Sequence, residues 1–215
     1  MRNLFTLKLM LISLLTAMSM VAKADYIEFK TKDGLCYGID TDAKYATLSK
    51  YEGAATKVVI PKSVVYKGVA YDVTSLDDNC FADCSSLISV SIPSSVTSLG
   101  IGCFMWCSSL TSITIPSCVT HLGAGCFEGC SSLTSINIPS SVTDMEYQCF
   151  DACSSLKTVI CEMPIPIEGI FFYKTPIDQA MLYVPKSSFS SYQSSKTWNE
   201  FRTILPIASN HPSKP

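Results

Sequence analysis

The chain has 215 residues, enough for one sizeable core with small caps around it. Charged residues make up only 16%, and 16 basic side chains against 18 acidic ones leave no basic excess for a nucleic-acid backbone to exploit. Hydrophobic residues reach 47%, so burial rather than charge must organise the fold.

The N-terminus has the layout of an export signal. Arg2 and Lys8 precede an apolar run from Leu9 to Val21, followed by Ala22-Lys23-Ala24, small residues at the spacing a signal peptidase reads. Residues 1–24 are therefore expected to be removed after Ala24, which leaves 13 basic against 18 acidic residues in the mature chain. The apolar run is shorter than the roughly 20 residues a bilayer requires, so no membrane span is expected.

Residues 25–57 alternate apolar and polar positions around turn signals. Tyr26, Phe29, Leu35, Tyr37, Ile39, Tyr45 and Leu48 are interrupted by Lys32-Asp33-Gly34 and Tyr51-Glu52-Gly53, which predicts antiparallel strands joined by hairpins. This meander is the expected N-terminal cap. A degenerate repeat starts at Val58-Val59-Ile60-Pro61, and Val65 to Asp72 forms an expected hairpin insertion before Val73-Thr74-Ser75-Leu76 regains the phase.

Four copies of one phrase follow, beginning at Cys80, Cys103, Cys126 and Cys149, each 23 residues after the last. The first is Cys80-Phe81-Ala82-Asp83-Cys84-Ser85-Ser86-Leu87. So strict a period predicts stacked units that share one core. Aligned copies place Leu87, Val90 and Ile92 in register with Leu110, Ile113 and Ile115, with Leu133, Ile136 and Ile138, and with Leu156, Val159 and Cys161. The closing alternation suits a short strand with one buried face. Phe81, Phe104, Phe127 and Phe150 make a further inward column, as do Val96 and Leu99 with their equivalents. Pro93, Pro116 and Pro139 end each strand.

The chain contains eleven cysteines, and eight of them recur at two positions of the repeat. A repeated packing role is more economical than four separate bridges, since a small buried thiol behaves as a hydrophobe. Disulfides remain open in an oxidising compartment. A zinc site needs four converging ligands, whereas solenoid columns run parallel, so no metal or cofactor is expected.

The phrase C-F-x-x-C-S-S-L, followed by x-x-I/V-x-I-P-S-S-V-T-x-L-G, resembles the BspA-like leucine-rich repeats of bacterial surface and secreted proteins. The resemblance covers residues 25–206, with cysteine at 80, 103, 126 and 149 where that family usually carries alanine. It implies a right-handed leucine-rich repeat superhelix, α/β by convention: a strand-rich solenoid of about five 23-residue repeats with few short helices. Residues 58–163 would form the solenoid. After Cys161 the prolines of Glu162-Met163-Pro164-Ile165-Pro166 argue against another regular turn. Residues 164–206 would then be a C-terminal cap, with a strand at 180–185, a short helix or turn over Ser187 to Ser195 starting near a capping serine, and Trp198, Phe201, Ile204 and Leu205 as apolar anchors. Residues 207–215 are expected to fray.

One column invites a catalytic reading, because Ser98, His121 and Asp144 occupy equivalent positions in consecutive repeats. A triad also needs a buried orienting carboxylate and an oxyanion hole. This column alternates with inward Val and Leu and should lie at the surface, so no catalysis is expected there.

Binding is the expected activity. The resemblance implies that the strand face makes the contacts, through Ile88, Ser89 and Ser91, Thr111, Ser112 and Thr114, Thr134, Ser135 and Asn137, and Lys157, Thr158 and Ile160. The partner it implies is a protein of a host or neighbouring cell, surface or matrix, met by a secreted or surface-held chain. A glycan is the alternative, opposed by the absence of Trp or Tyr from this strip; a purely structural surface role is another. Trp106 is the one repeat aromatic expected at the surface.

Overall fold

The computed structural model describes residues 26–208, so the expected signal segment at 1–24 and positions 209–215 of the tail lie outside the described residues. Strands β1 (Tyr26–Lys30), β2 (Leu35–Asp40) and β3 (Tyr45–Tyr51) pair as an antiparallel meander. Gly34 turns the first hairpin at φ +83°, where a Cβ would run into the Gly53 backbone, so a glycine is required. Alternation buries Tyr37, Ile39, Ala46 and Leu48 completely. The meander does more than cover the array, because β3 pairs in parallel with the first solenoid strand and so belongs to the ladder itself.

Strand β4 (Lys57–Val59) leads into a hairpin of β5 (Ser63–Tyr66) and β6 (Val69–Leu76). Its turn residues Lys67 and Gly68 both have positive φ, the geometry that matches the twist of a tight hairpin. The far end of β6 continues the ladder on a second side of the coil: β6 pairs in parallel with β8 (Ser98–Leu99), then β9 (His121–Leu122), then β11 (Asp144–Met145). On the first side, β4 pairs with β7 (Ser89–Ser91), and β10 (Ser135–Ile138), β12 (Thr158–Cys161), β13 (Met181–Val184) and β14 (Thr203–Pro206) form a parallel sheet of four. The result is a strand-rich β-solenoid of about seven turns.

The third side carries the repeated phrase. Backbone bonds run from coil to coil there without regular strands: Phe81 N–H donates to Cys103 C=O at 2.7 Å, Phe104 to Cys126 at 2.8 Å and Phe127 to Cys149 at 2.8 Å. Left-handed residues bracket each phrase, Asn79, Gly102, Gly125 and Gln148 before it and Asp83, Trp106, Gly129 and Ala152 within it. Between them the phenylalanine rings stack almost parallel, with centroids 5.2 Å apart for Phe81 and Phe104, then 5.4 Å and 5.4 Å to Phe127 and Phe150. Tyr51 extends the stack at one end and Phe172 at the other.

Four expectations need correction. No strand forms over 111–116, where a cleft of about 350 Å³ opens between Ser89–Ile92 and Ser112–Thr114 and leaves the two backbones unpaired; Ile92, expected inside, is only half-buried. Second, the array does not stop after Cys161: β13 and β14 follow β12 in parallel, and Phe172 stacks on Phe150. The prolines there sit at a corner where no ladder donor is needed, so they end a strand without ending the solenoid. Third, Leu205 is no anchor, since register places it on the outward row of β14 at 36% exposure. Fourth, Ser188 does not cap helix α1 (Phe189–Ser194); its hydroxyl donates to Pro164 C=O at 2.6 Å.

The last layer is closed by aromatics. Trp198 and Phe201 meet Phe172 edge-on, Trp198 Nε1 donates to Ile167 C=O at 2.7 Å, and the Tyr192 hydroxyl donates to Met163 C=O at 3.0 Å. Each polar tip finds an acceptor while its ring stays dry.

Candidate functional site: the strand face

Period-two alternation divides the first side of the coil into a buried middle row and two outward rows. Val90, Ile113, Ile136, Val159 and Leu182 point inward. Ser135, Thr158, Met181 and Thr203 share one outward row, and Asn137, Ile160, Tyr183 and Leu205 share the other. Ser91, Thr111, Ser112, Thr114, Thr134, Ser135 and Lys157 are exposed; Ser89, Asn137, Thr158 and Ile160 are half-buried; Ile88 is 39% exposed. Asn137 is already engaged, its Nδ2 donating to Glu162 Oε1 at 3.1 Å.

The face is longer than the twelve expected residues. Lys57 and Val59 extend it at one end, Val59 at 73% exposure, while Met181, Tyr183, Thr203 and Leu205 extend it at the other. Tyr183 corrects the expectation that no tyrosine lies on the strip. The signal was present in Met181-Leu182-Tyr183-Val184, which repeats the alternation of Thr158-Val159-Ile160-Cys161 one period later. Trp106 is 48% exposed, but its ring lies against Gly129, where any side chain would collide with it, so it covers backbone as well as facing solvent.

The Ser98, His121 and Asp144 column exists as a row of paired residues in β8, β9 and β11. Its geometry is that of an imidazole held between two carboxylates. His121 Nδ1 lies 2.9 Å from Asp144 Oδ2, and Nε2 lies 3.7 Å from Glu146 Oε1, so both ring nitrogens face carboxylates and neither bonds the Ser98 hydroxyl. Asp144 is 65% exposed at its side chain, unlike the buried orienting acid of a triad. A pair this exposed contributes at most about 1 kcal/mol to stability.

All eleven cysteines are free thiols. Cys103, Cys107, Cys126, Cys130, Cys153 and Cys161 are fully enclosed, and burial raises the pKa of each, to about 12 for Cys153 and Cys161. The second thiol of the last three phrases is also a donor: Cys107 Sγ reaches Phe81 C=O at 3.1 Å, Cys130 reaches Phe104 at 3.3 Å and Cys153 reaches Phe127 at 3.2 Å. In the next coil Thr175 replaces cysteine and its hydroxyl donates to Phe150 C=O at 2.6 Å. The position thus selects a small side chain able to satisfy a buried carbonyl. Among the described residues no group of three or more His, Cys, Asp or Glu could hold a metal ion, and no helix is long and apolar enough to cross a membrane.

Comparison with known proteins follows the same lines. The BspA type leucine rich repeat region matches residues 73–199 in six copies. A leucine-rich repeat protein from Bacteroides capillosus superposes with a TM-score of 0.56 at 28% identity, covering 63% of this chain and 98% of that one. The Treponema structure described as T. pallidum leucine rich repeat protein gives 0.64 at 22% identity, covering 83% of each chain. The pneumococcal vaccine antigen PcpA gives 0.62 at 15% identity over 84% of this chain and 48% of its own, a likeness of fold. No curated relative matches the chain. With six repeats matched across more than half its length and the solenoid those repeats build, the chain belongs to the BspA type leucine-rich repeat family.

Proposed function

We propose that the protein is an exported, non-enzymatic binding module that holds proteins of a host or neighbouring cell against its strand face. Membership of a leucine-rich repeat family supports a repeat-based protein-interaction module. The observation that carries the reading is the strand face itself: two outward rows supported by a fully packed middle row, so that hydroxyl, amide and apolar groups are offered at fixed spacing. Pre-ordering of this kind removes part of the entropic cost of association. Export rests on the signal-like segment that would end at Ala24.

Tyr183 gives a glycan a second reading, since an aromatic on the outward row offers a surface for a sugar ring. Retention of the pure protein on an array of matrix proteins and glycans tests both. A protein hit abolished by Thr111→Glu and Thr134→Glu supports the strand face. Silence across the protein spots refutes the adhesive reading, and a hit indifferent to both substitutions moves the contact elsewhere.

A further inference from the structure

Lys157 is the one charged residue among the twelve expected face positions, and the fold gives it a cationic companion. Register pairs Thr158 of β12 with Met181 of β13 and Met181 with Thr203 of β14, so Lys157 and Arg202 each sit one residue before this row, two strands apart, with Met181 on the row between them. Backbone bonds hold all three: Lys157 N–H to Thr134 C=O at 2.9 Å, Met181 N–H to Lys157 C=O at 2.9 Å, Arg202 N–H to Ile177 C=O at 3.0 Å. Between them lies a cleft of about 580 Å³, lined also by Ser154, Ser155 and Gln179.

No carboxylate lines this cleft. The ion pairs of the described residues involve only Glu52, Asp144 and Glu146 as acids, so neither Lys157 nor Arg202 is neutralised; Asp178 and Glu200, near in sequence, pair with neither. The chain as a whole carries a formal charge of −2, so two unpaired cations over one cleft run against its average. We propose that this cleft is the specificity-determining part of the strand face and that it takes an acidic peptide segment of the partner protein, an inference that rests on the protein-binding reading above.

The lining chemistry selects that class. Arg202 presents a planar fork of donors suited to a carboxylate, and Lys157 a mobile point charge. The serine hydroxyls and the Gln179 amide add donors around them, and Met181, 39% exposed, supplies an adaptable apolar contact for a side chain between two acids. The cleft is too large to be filled by a single carboxylate and has no aromatic in its lining to stack on a sugar, so a peptide carrying several acids fits where a lone anion or a glycan does not. The acidic excess elsewhere repels such a partner, so the contact is local and sensitive to salt.

The test uses the full chain and a short fluorescent peptide of Asp, Glu and Leu, its counterpart with Asn and Gln, and a sulfated oligosaccharide, followed by anisotropy at rising salt. Lys157 and Arg202 are both exposed, so Lys157→Gln and Arg202→Gln should melt like the parent. The expected result is preference for the acidic peptide, lost by about tenfold for each charge removed, the equivalent of one charge-assisted hydrogen bond. Equal binding of the neutral peptide, unchanged affinity in the double variant, or tighter binding of the sulfated sugar overturns the proposal. If an array partner is lost on Thr111→Glu and Thr134→Glu while the acidic peptide fails to bind, the cleft assignment falls and the strand-face reading stands. Peptide binding through Lys157 and Arg202 with a silent array supports the cleft and sinks the adhesive partner instead.

Discussion

The buried thiols make the protein's stability a function of alkaline pH. In the unfolded chain a cysteine ionises near pH 9.0, whereas burial holds Cys153 and Cys161 up to about 12 and raises Cys103, Cys107, Cys126 and Cys130 as well. Because the folded pKa is the higher one, the stabilisation is complete below pH 9 and is lost as the pH climbs towards the folded values. At one unit above the free thiol's pKa each of the six costs between about 1 and 2 kcal/mol, roughly 8 kcal/mol together. That is comparable to the 5–15 kcal/mol by which domains of ordinary stability are held, so unfolding should be cooperative with a midpoint near pH 10 to 11. Circular dichroism and ultraviolet thiolate absorbance, followed through a pH titration under reducing conditions, check it: beyond the three thiols that are not buried, Cys36, Cys84 and Cys118, absorbance should rise together with the loss of structure. Cys103→Ala with Cys126→Ala leaves four such thiols and should reduce the fall of stability between pH 9 and 11 by about a third, whatever the substitutions cost at neutral pH. Absorbance of the full set of thiolates near pH 9 with the fold intact, or a fall of stability with pH unchanged by the double substitution, refutes the enclosure of these columns.

Two further outcomes follow from the same core. Phe104→Ala should cost ~3 to 5 kcal/mol in urea unfolding, and Phe104→Leu about 1 to 3 kcal/mol, because leucine keeps most of the volume but loses the stacking on Phe81 and Phe127; near-neutral effects of both would contradict a continuous ring column. Ala152 stands at φ 53° where the preceding coil has Gly129, so Ala152→Gly should stabilise by about 0.5 to 1 kcal/mol. Gly129→Ala should do the opposite, since its Cβ would strike the Trp106 ring; a melting temperature that rises for Gly129→Ala would rule this geometry out.

Much of the core was legible because the repeat writes it several times over. The residues at 81, 104, 127 and 150 are all fully buried, and so are Leu110, Leu133, Val119 and Leu122, as their alignment by 23 predicts. A single copy has no such power, and reading failed where copies became few or altered. Thr175 for cysteine and a 22-residue step from Met181 to Thr203 hid the continuation beyond Cys161, and with it Tyr183 and Arg202 on the proposed binding face. Nothing in the sequence marks the break at 111–116, where the same alternating pattern occurs as in β10 but the neighbouring backbone stands across a cleft.

The sequence by itself determined the period, the columns and which faces are wet, because burial depends on side-chain type at a given place in the repeat, and type is what a sequence states. The tertiary structure alone decided how polar atoms are partnered. Whether His121 turns its Nε2 to Ser98 or to Glu146, whether Cys130 donates to the carbonyl of Phe104, and whether Lys157 and Arg202 share one uncompensated cleft are matters of rotamer and of hydrogen bonds spanning adjacent coils. Those depend on distances of a few tenths of an ångström and on directions in space, which a period in residue number does not encode.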